Sequence, residues 1–261
     1  MIRGLFKVLT DQSTRRKWRF LALLKLGKWL MPEYRFQWPG LAWWHQEAFN
    51  AYLDRFGILE GMESDRRWML NQLTMLVKSV PGDTAECGVL HGSSSYLVCK
   101  ALPDRRHFMF DSFEGLSVPS SADEENWSAN ILACDLITAQ RNLSEFSNIS
   151  FHPGWIPSRF KDVESRTFSF VHIDVQLYEP TRDSIEFFYP RMSEGGIIIC
   201  DDYGFANCPG ATKAVDEFLS GKPEKMISLS CGSAFLIKGL ATGQNVLSIL
   251  TSAGAGRAAG A

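Results

Sequence analysis

The spacing of apolar residues changes character along this chain. "KWRFLALLKLGKWLMP" (17–32) interleaves basic and apolar residues at roughly helical spacing, which predicts an amphipathic helix. Residues 36–63, "FQWPGLAWWHQEAFNAYLDRFGILEGME", are aromatic-rich and read as a cap or lid rather than a sheet strand. "DRRWMLNQLTMLVKSV" (65–80) puts Trp68, Leu73, Leu76, Val77 and Val80 on one helical face, and Pro81-Gly82 stops that helix. From there short apolar runs take over. "TAECGVL" (84–90), "HFMFDSFEG" (107–115), "ISFHPGW" (149–155), "FSFVHIDV" (168–175) and "GGIIICDDY" (195–203) read as strands. "SYLVCKALP", "ILACDLITAQRNLSEF" (131–146), "TRDSIEFFYPRM" and "GATKAVDEFLSG" (210–221) read as helices between or after them. "SVPSSADEENWS" (117–128) predicts a mobile loop, and "KMISLS" with "SAFLIKG" predicts a hairpin around Cys231-Gly232.

Repeated strand–helix units with fully apolar strands imply an α/β fold, a parallel sheet covered on both faces. The last strand pair breaks that rhythm, so one antiparallel strand is expected at the end. The organisation expected is a helical extension and cap over 1–63, the main domain over 64–239, and a disordered Gly/Ala-containing tail over 240–261.

Composition sharpens this. The chain has 261 residues, 45% hydrophobic, with a formal charge of -2, as befits one globular domain with appendages. Residues 1–35 hold nine Lys/Arg against two acids, a net of +7, which leaves 18 basic and 27 acidic residues, a net of -9, elsewhere. An acidic body excludes the usual nucleic-acid binder. The basic helix has two readings: it lies on an anionic membrane or partner, or it packs on its own domain or on a second subunit of a homodimer. The six cysteines form no CxxC pair and no zinc spacing, which points to a reduced, cytoplasmic protein. No apolar run reaches the roughly 20 residues that span a bilayer, and no signal peptide is evident.

In such a sheet, ligands bind at the carboxyl ends of the strands. Five acids fall at or beside those ends: Glu86, Asp111, Asp174, Asp201 and Asp202. Converging carboxylates repel one another unless a cation neutralises them. An all-oxygen set of Asp174, Asp201 and Asp202 suits a hard divalent ion, Mg²⁺ first. The opposing reading has Asp201 or Asp202 capping the next helix. The first turn, "AECGVLHGSSS", lacks the dinucleotide and P-loop glycine patterns. Gly88 still allows close approach, Ser93 and Ser94 offer hydrogen bonds, and Asp111 can accept from ribose hydroxyls. Glu86 suits a cofactor with a positive group, such as S-adenosylmethionine. Tyr96 and Lys100 match a Tyr-x-x-x-Lys dehydrogenase pair but lie on the wrong helix, without a dinucleotide turn.

"PGDTAECGVLHGSSS", "FDSFEGL", "HIDVQLYEPTRDSIEFFYPRMSEGGIIICDDYG" and "PGATKAVDEF" resemble, in order, blocks of the macrocin-type sugar O-methyltransferases of antibiotic biosynthesis. The resemblance covers about residues 60–238. It implies a class I methyltransferase, Rossmann-like fold with a seven-stranded sheet whose last strand is antiparallel. It implies S-adenosylmethionine held by Glu86, Cys87, Gly88, Ser93, Ser94, Asp111, Ser112, Gly154 and Trp155. It also implies Mg²⁺ at Asp174, Asp201 and Asp202, and a sugar hydroxyl or related polyol as acceptor. Several members carry an aspartate, the proposed base, where this chain has Gln176. Glutamine cannot take a proton at neutral pH, so His91, His152 and His172 become candidates, with Asp174, Gln176 and His91 as the expected catalytic set. A non-catalytic protein of this fold, binding a glycan or a partner enzyme, stays open beside the enzyme.

Overall fold

The structure is a computed structural model that describes residues 12–30, 43, 46–58 and 61–243. Backbone contacts divide the chain into two units, Met1–Tyr52 and Leu53–Ala261. The first unit contains helix α1 (Gln12–Leu30) and the start of α2 (Glu47–Phe56). Of the expected cap, residues 36–42, 44, 45, 59 and 60 lie outside the described residues, as does the tail from 244 onward.

The second unit opens with α3 (Gly61–Thr74), followed by β1 (Asp83–Cys87), α4 (Ser93–Ala101) and β2 (His107–Asp111). Then come α5 (Leu136–Asn142), β3 (Ile149–Pro153), β4 (Phe168–Ile173), α6 (Tyr178–Phe188) and β5 (Met192–Cys200). Helix α7 (Pro209–Phe218), β6 (Ile227–Ser228) and β7 (Ala234–Ile237) complete it. The seven strands run in the order β3-β2-β1-β4-β5-β7-β6. The first five are parallel, and β7 is antiparallel to both β5 and β6. Strands 83–87, 107–111 and 168–173 are buried almost throughout, as parallel strands between helical layers must be. Below one face an aromatic cluster joins Phe108, Phe110, Phe160, Phe168 and Phe188, with rings 5.0–6.2 Å apart.

Several expected elements differ: the helix expected over 65–80 runs Gly61–Thr74 and leaves Leu76 57% exposed rather than on its apolar face, and the helix expected from Thr181 starts at Tyr178. The helix drawn over 131–146 begins only at Leu136, because Asp135 caps it and accepts from the Thr138 amide at 2.8 Å. The strand at 195–203 starts earlier, at Met192, and ends at Cys200. The loop 117–128 is pinned rather than free. Asp123 accepts from the Tyr178 amide at 2.7 Å, and the Trp127 indole donates to Asn207 O at 2.6 Å. Polar composition signals a loop but does not reveal its tertiary partners.

One device sets the functional edge. Hydrogen bonding continues one residue past four of the five parallel strands, β3, β1, β4 and β5: Gly154 N to Asp111 O, Gly88 N to Phe110 O, Asp174 N to Cys87 O, and Asp201 N to Ile173 O, at 2.8–2.9 Å. The residues after four strands are thereby lined up along one rim.

Candidate active site

At this rim β1 turns sharply. Gly88 has φ +84°, and a Cβ there would stand 1.8 Å from Asp174 O, so only glycine lets the turn pass the end of β4. Asp111 holds the turn from the neighbouring strand. Its Oδ2 accepts from Val89 N at 2.7 Å and Leu90 N at 3.0 Å, and its Oδ1 accepts from Phe113 N at 2.7 Å. Above lies a cavity of about 300 Å³. Its wall includes Gly88, His91, Ser93 and Ser94 of the turn, Asp111 and Ser112 after β2, and Trp155, Asp174 and Gln176. The first turn of α4 carries no side-chain cap, so its amide donors suit an anionic group such as a carboxylate.

Nine of the expected residues thus share one cavity, and the others do not line it. Glu86 and Cys87 are fully buried in β1. Glu86 is consumed by its neighbours: Ser95 Oγ donates to it, and His172 Nδ1 lies 2.7 Å from Oε1. Burial alone would raise the Glu86 pKa, but hydrogen bonds and charge from His107 and His172 bring it well below the carboxylate range. A cofactor's amino group therefore does not meet Glu86 here; the carboxylates that line the cavity are Glu63, Asp111 and Asp174. Gly154 shapes the rim through its amide bond to Asp111.

Asp201 and Asp202 sit beside Asp174 and are almost fully buried. Gln176 bridges the group. Its amide donates to Asp202 Oδ2 and its Nε2 donates to Asp174 Oδ1, both at 2.8 Å. It does so from a left-handed backbone, φ 58°. Two arginines of α3 face the same acids: Arg66 lies 2.9 Å from Asp201 Oδ2, and Arg67 lies 3.8 Å from Asp174 Oδ2. His172 lies between carboxylates, with Nε2 3.5 Å from Asp201 Oδ1. Burial works against its charge, yet Asp201 and Glu86 push its pKa up to about 10.

These charges bear on whether the site suits a cation. Asp202 is pushed up to about 8 by burial and by the Asp174 and Asp201 carboxylates. A divalent ion shared by the three would remove that repulsion, and an all-oxygen donor set suits Mg²⁺. Among the described residues, ligand atoms of His172, Asp174 and Asp201 lie within 4.8 Å of one another. His172 Nδ1 is held by Glu86 Oε1 at 2.7 Å, and Asp202 in its place keeps the donor set all-oxygen. The aspartates fit the ion. The arginines already supply part of the countercharge.

Sequence comparison now decides the family. The model of the macrocin-O-methyltransferase (TylF) family matches residues 64–227, more than half of the chain. The chain belongs to this family. Relatives of the macrocin O-methyltransferase family include the 8-demethyl-8-(2,3-dimethoxy-alpha-L-rhamnosyl)-tetracenomycin-C 4'-O-methyltransferase of Streptomyces olivaceus. It is 32% identical over 154 residues, which are 53% of this chain and 59% of that protein. The mycinamicin III 3''-O-methyltransferase of Micromonospora griseorubida is 30% identical over 174 residues, 57% of this chain and 66% of that protein. The chain thus spans less than two thirds of the curated relatives it matches. The structure of the O-methyltransferase NovP superposes with a TM-score of 0.54 at 27% identity, covering 66% of this chain and 79% of that one. A calicheamicin methyltransferase shares the fold at TM-score 0.60 and 17% identity, covering 80% of this chain and 97% of that one.

The family match contains every rim aspartate but begins after Glu63. Glu63, Arg66 and Arg67 of α3 are the site residues that sequence reasoning missed. An "RR" pair opening a helix reads as a solvated surface, and nothing local shows that it folds onto acids 107–135 residues away.

Proposed function

We propose that this member of the macrocin O-methyltransferase family transfers a methyl group from S-adenosylmethionine to a hydroxyl of a sugar, glycoside or related polyol. The observation that carries the reading is one cavity walled both by the β1 turn with Asp111 and by Asp174 and Gln176 beside the buried aspartates. The rhamnosyl group in the name of the Streptomyces olivaceus relative's substrate supports the acceptor class.

When bound, the cofactor supplies an electrophilic methyl group and a divalent ion at Asp174, Asp201 and Asp202 supplies positive charge for the acceptor oxygen. The chain's own residues do the rest. The α4 amides and Ser93–Ser94 hold the cofactor's anionic end, and Asp111 orders the turn and accepts from ribose hydroxyls. Gln176 orients the acceptor but keeps its own protons. His172 is held at Nδ1 by Glu86, 2.7 Å away, and His152 is tied to Asp162 at 3.0 Å and to Ser150 at 3.0 Å. His91 is the imidazole on the cavity wall, so it takes the hydroxyl proton at a ring nitrogen. Positioning contributes the remainder of the rate.

Calorimetry with S-adenosylhomocysteine tests the first half; a folded chain showing no binding below millimolar refutes it. EDTA or Asp202→Asn should abolish methyl transfer to sugar acceptors, and retained turnover removes the ion. Intact cofactor binding with no transfer to any acceptor returns the non-catalytic reading.

A further inference from the structure

Helix α1 is unlike the other helices. It runs for 19 residues, Gln12–Leu30, and contains six basic residues (Arg15, Arg16, Lys17, Arg19, Lys25 and Lys28) with no acidic one. Its described side chains include large apolar groups turned to solvent: Trp18 is 57% exposed, Leu26 51%, Trp29 77% and Leu30 62%. At about 100° per residue, Trp18, Leu23, Leu26, Trp29 and Leu30 fall within an arc of about 140° that Arg15 and Arg19 share, so basic and apolar groups are interleaved on this side of the helix. Arg19 and Lys25 are exposed on and beside that arc.

Two tryptophans and three leucines left exposed on one helix are costly in water. Tryptophan favours the boundary between headgroups and acyl chains, where its ring is buried and its N–H stays wet. Lysine and arginine stems cover apolar surface while their charges reach outward. Six positive charges on one helix match a negative surface and oppose self-association of like helices. The rest of the chain is acidic, so the attraction is confined to this end. Among the described residues no helix is long and apolar enough to cross a membrane, so the contact would lie along the surface.

We propose that α1 is a peripheral docking element for an anionic lipid bilayer. It lies in the headgroup plane with Trp18, Leu26 and Trp29 inserted and its basic residues against lipid phosphates. The inference is independent of the catalytic reading.

Flotation of the full chain with vesicles tests it. The chain should float with phosphatidylcholine–phosphatidylglycerol vesicles, float little with pure phosphatidylcholine, and be released by high salt. Arg19→Glu with Lys25→Glu should weaken partitioning by about tenfold or more. Trp18→Ala with Trp29→Ala should do the same, with circular dichroism and S-adenosylhomocysteine binding unchanged. No flotation, or equal flotation of wild type and both variants, overturns the proposal. So does light scattering that shows a dimer dispersed by the tryptophan variant, since the occupant is then a second copy.

Discussion

His172 carries the most consequential single side chain below the site. It pairs across β1 and β4 with Glu86, and the two are fully buried. Removing one partner of such a pair strands a charge. His172→Leu should therefore cost about 3–5 kcal/mol in urea unfolding, with Glu86→Leu/His172→Leu less damaging than the single change. Glu86 exemplifies how burial reverses a sequence argument. A strand-end acid suggested a cofactor contact, and the tertiary structure spends it on Ser95 and His172 instead. His91 and Gln176 make the opposite test. His91→Ala should lower kcat about 10²–10⁴-fold with cofactor affinity retained. In that background Gln176→Asp should recover part of the rate by supplying a carboxylate base. No loss on His91→Ala assigns the proton elsewhere.

At the scale of elements, the site is made by how strands stop. Gly88 lets β1 turn beside Asp174, and the Asp111 carboxylate fastens the turn to β2. Gly88→Ala combines a left-handed backbone with a clash against Asp174 O, so a loss of about 3 kcal/mol or more is expected, together with cofactor affinity. Chemical denaturation and calorimetry on the same sample check both. The 117–128 loop tests a different link. Asp123 also accepts from Ser120 Oγ at 2.8 Å, so one carboxylate organises the loop and anchors it to α6. Asp123→Ala should speed limited proteolysis within 117–128 several-fold while the melting temperature moves little. An unchanged cleavage rate would mean that Trp127 alone holds the loop.

Across the whole molecule, the antiparallel end of the sheet has its own lock. Glu224 accepts from the Gly239 amide at 2.9 Å and from the Tyr189 hydroxyl at 2.8 Å. Burial acts to raise its pKa, but these donors outweigh burial and lower it below 4.5. A depressed folded value means stability that is present above about pH 4.5 and lost as pH falls through the folded value. Glu224→Gln should flatten that part of the acid-unfolding curve, read as urea midpoints between pH 6 and 3. A slope equal to wild type there would assign the acid sensitivity to other carboxylates.

The order of strands and helices, the parallel sheet and the closing hairpin were legible because burial on both faces leaves unbroken apolar runs and turns leave Gly and Pro. The rim acids were legible for the same reason: each ends an apolar run. Other features depended on pairings between distant residues. The Arg66–Arg67 approach to Asp174 and Asp201, the burial of Glu86 against His172, and the pinning of 117–128 are long-range contacts with no periodic trace. Gln176 shows the division. The sequence by itself determined that an amide stands two residues after Asp174. Only the tertiary structure decided that its left-handed backbone and side chain tie Asp174 to Asp202, because those carboxylates meet when β4 and β5 pair in register.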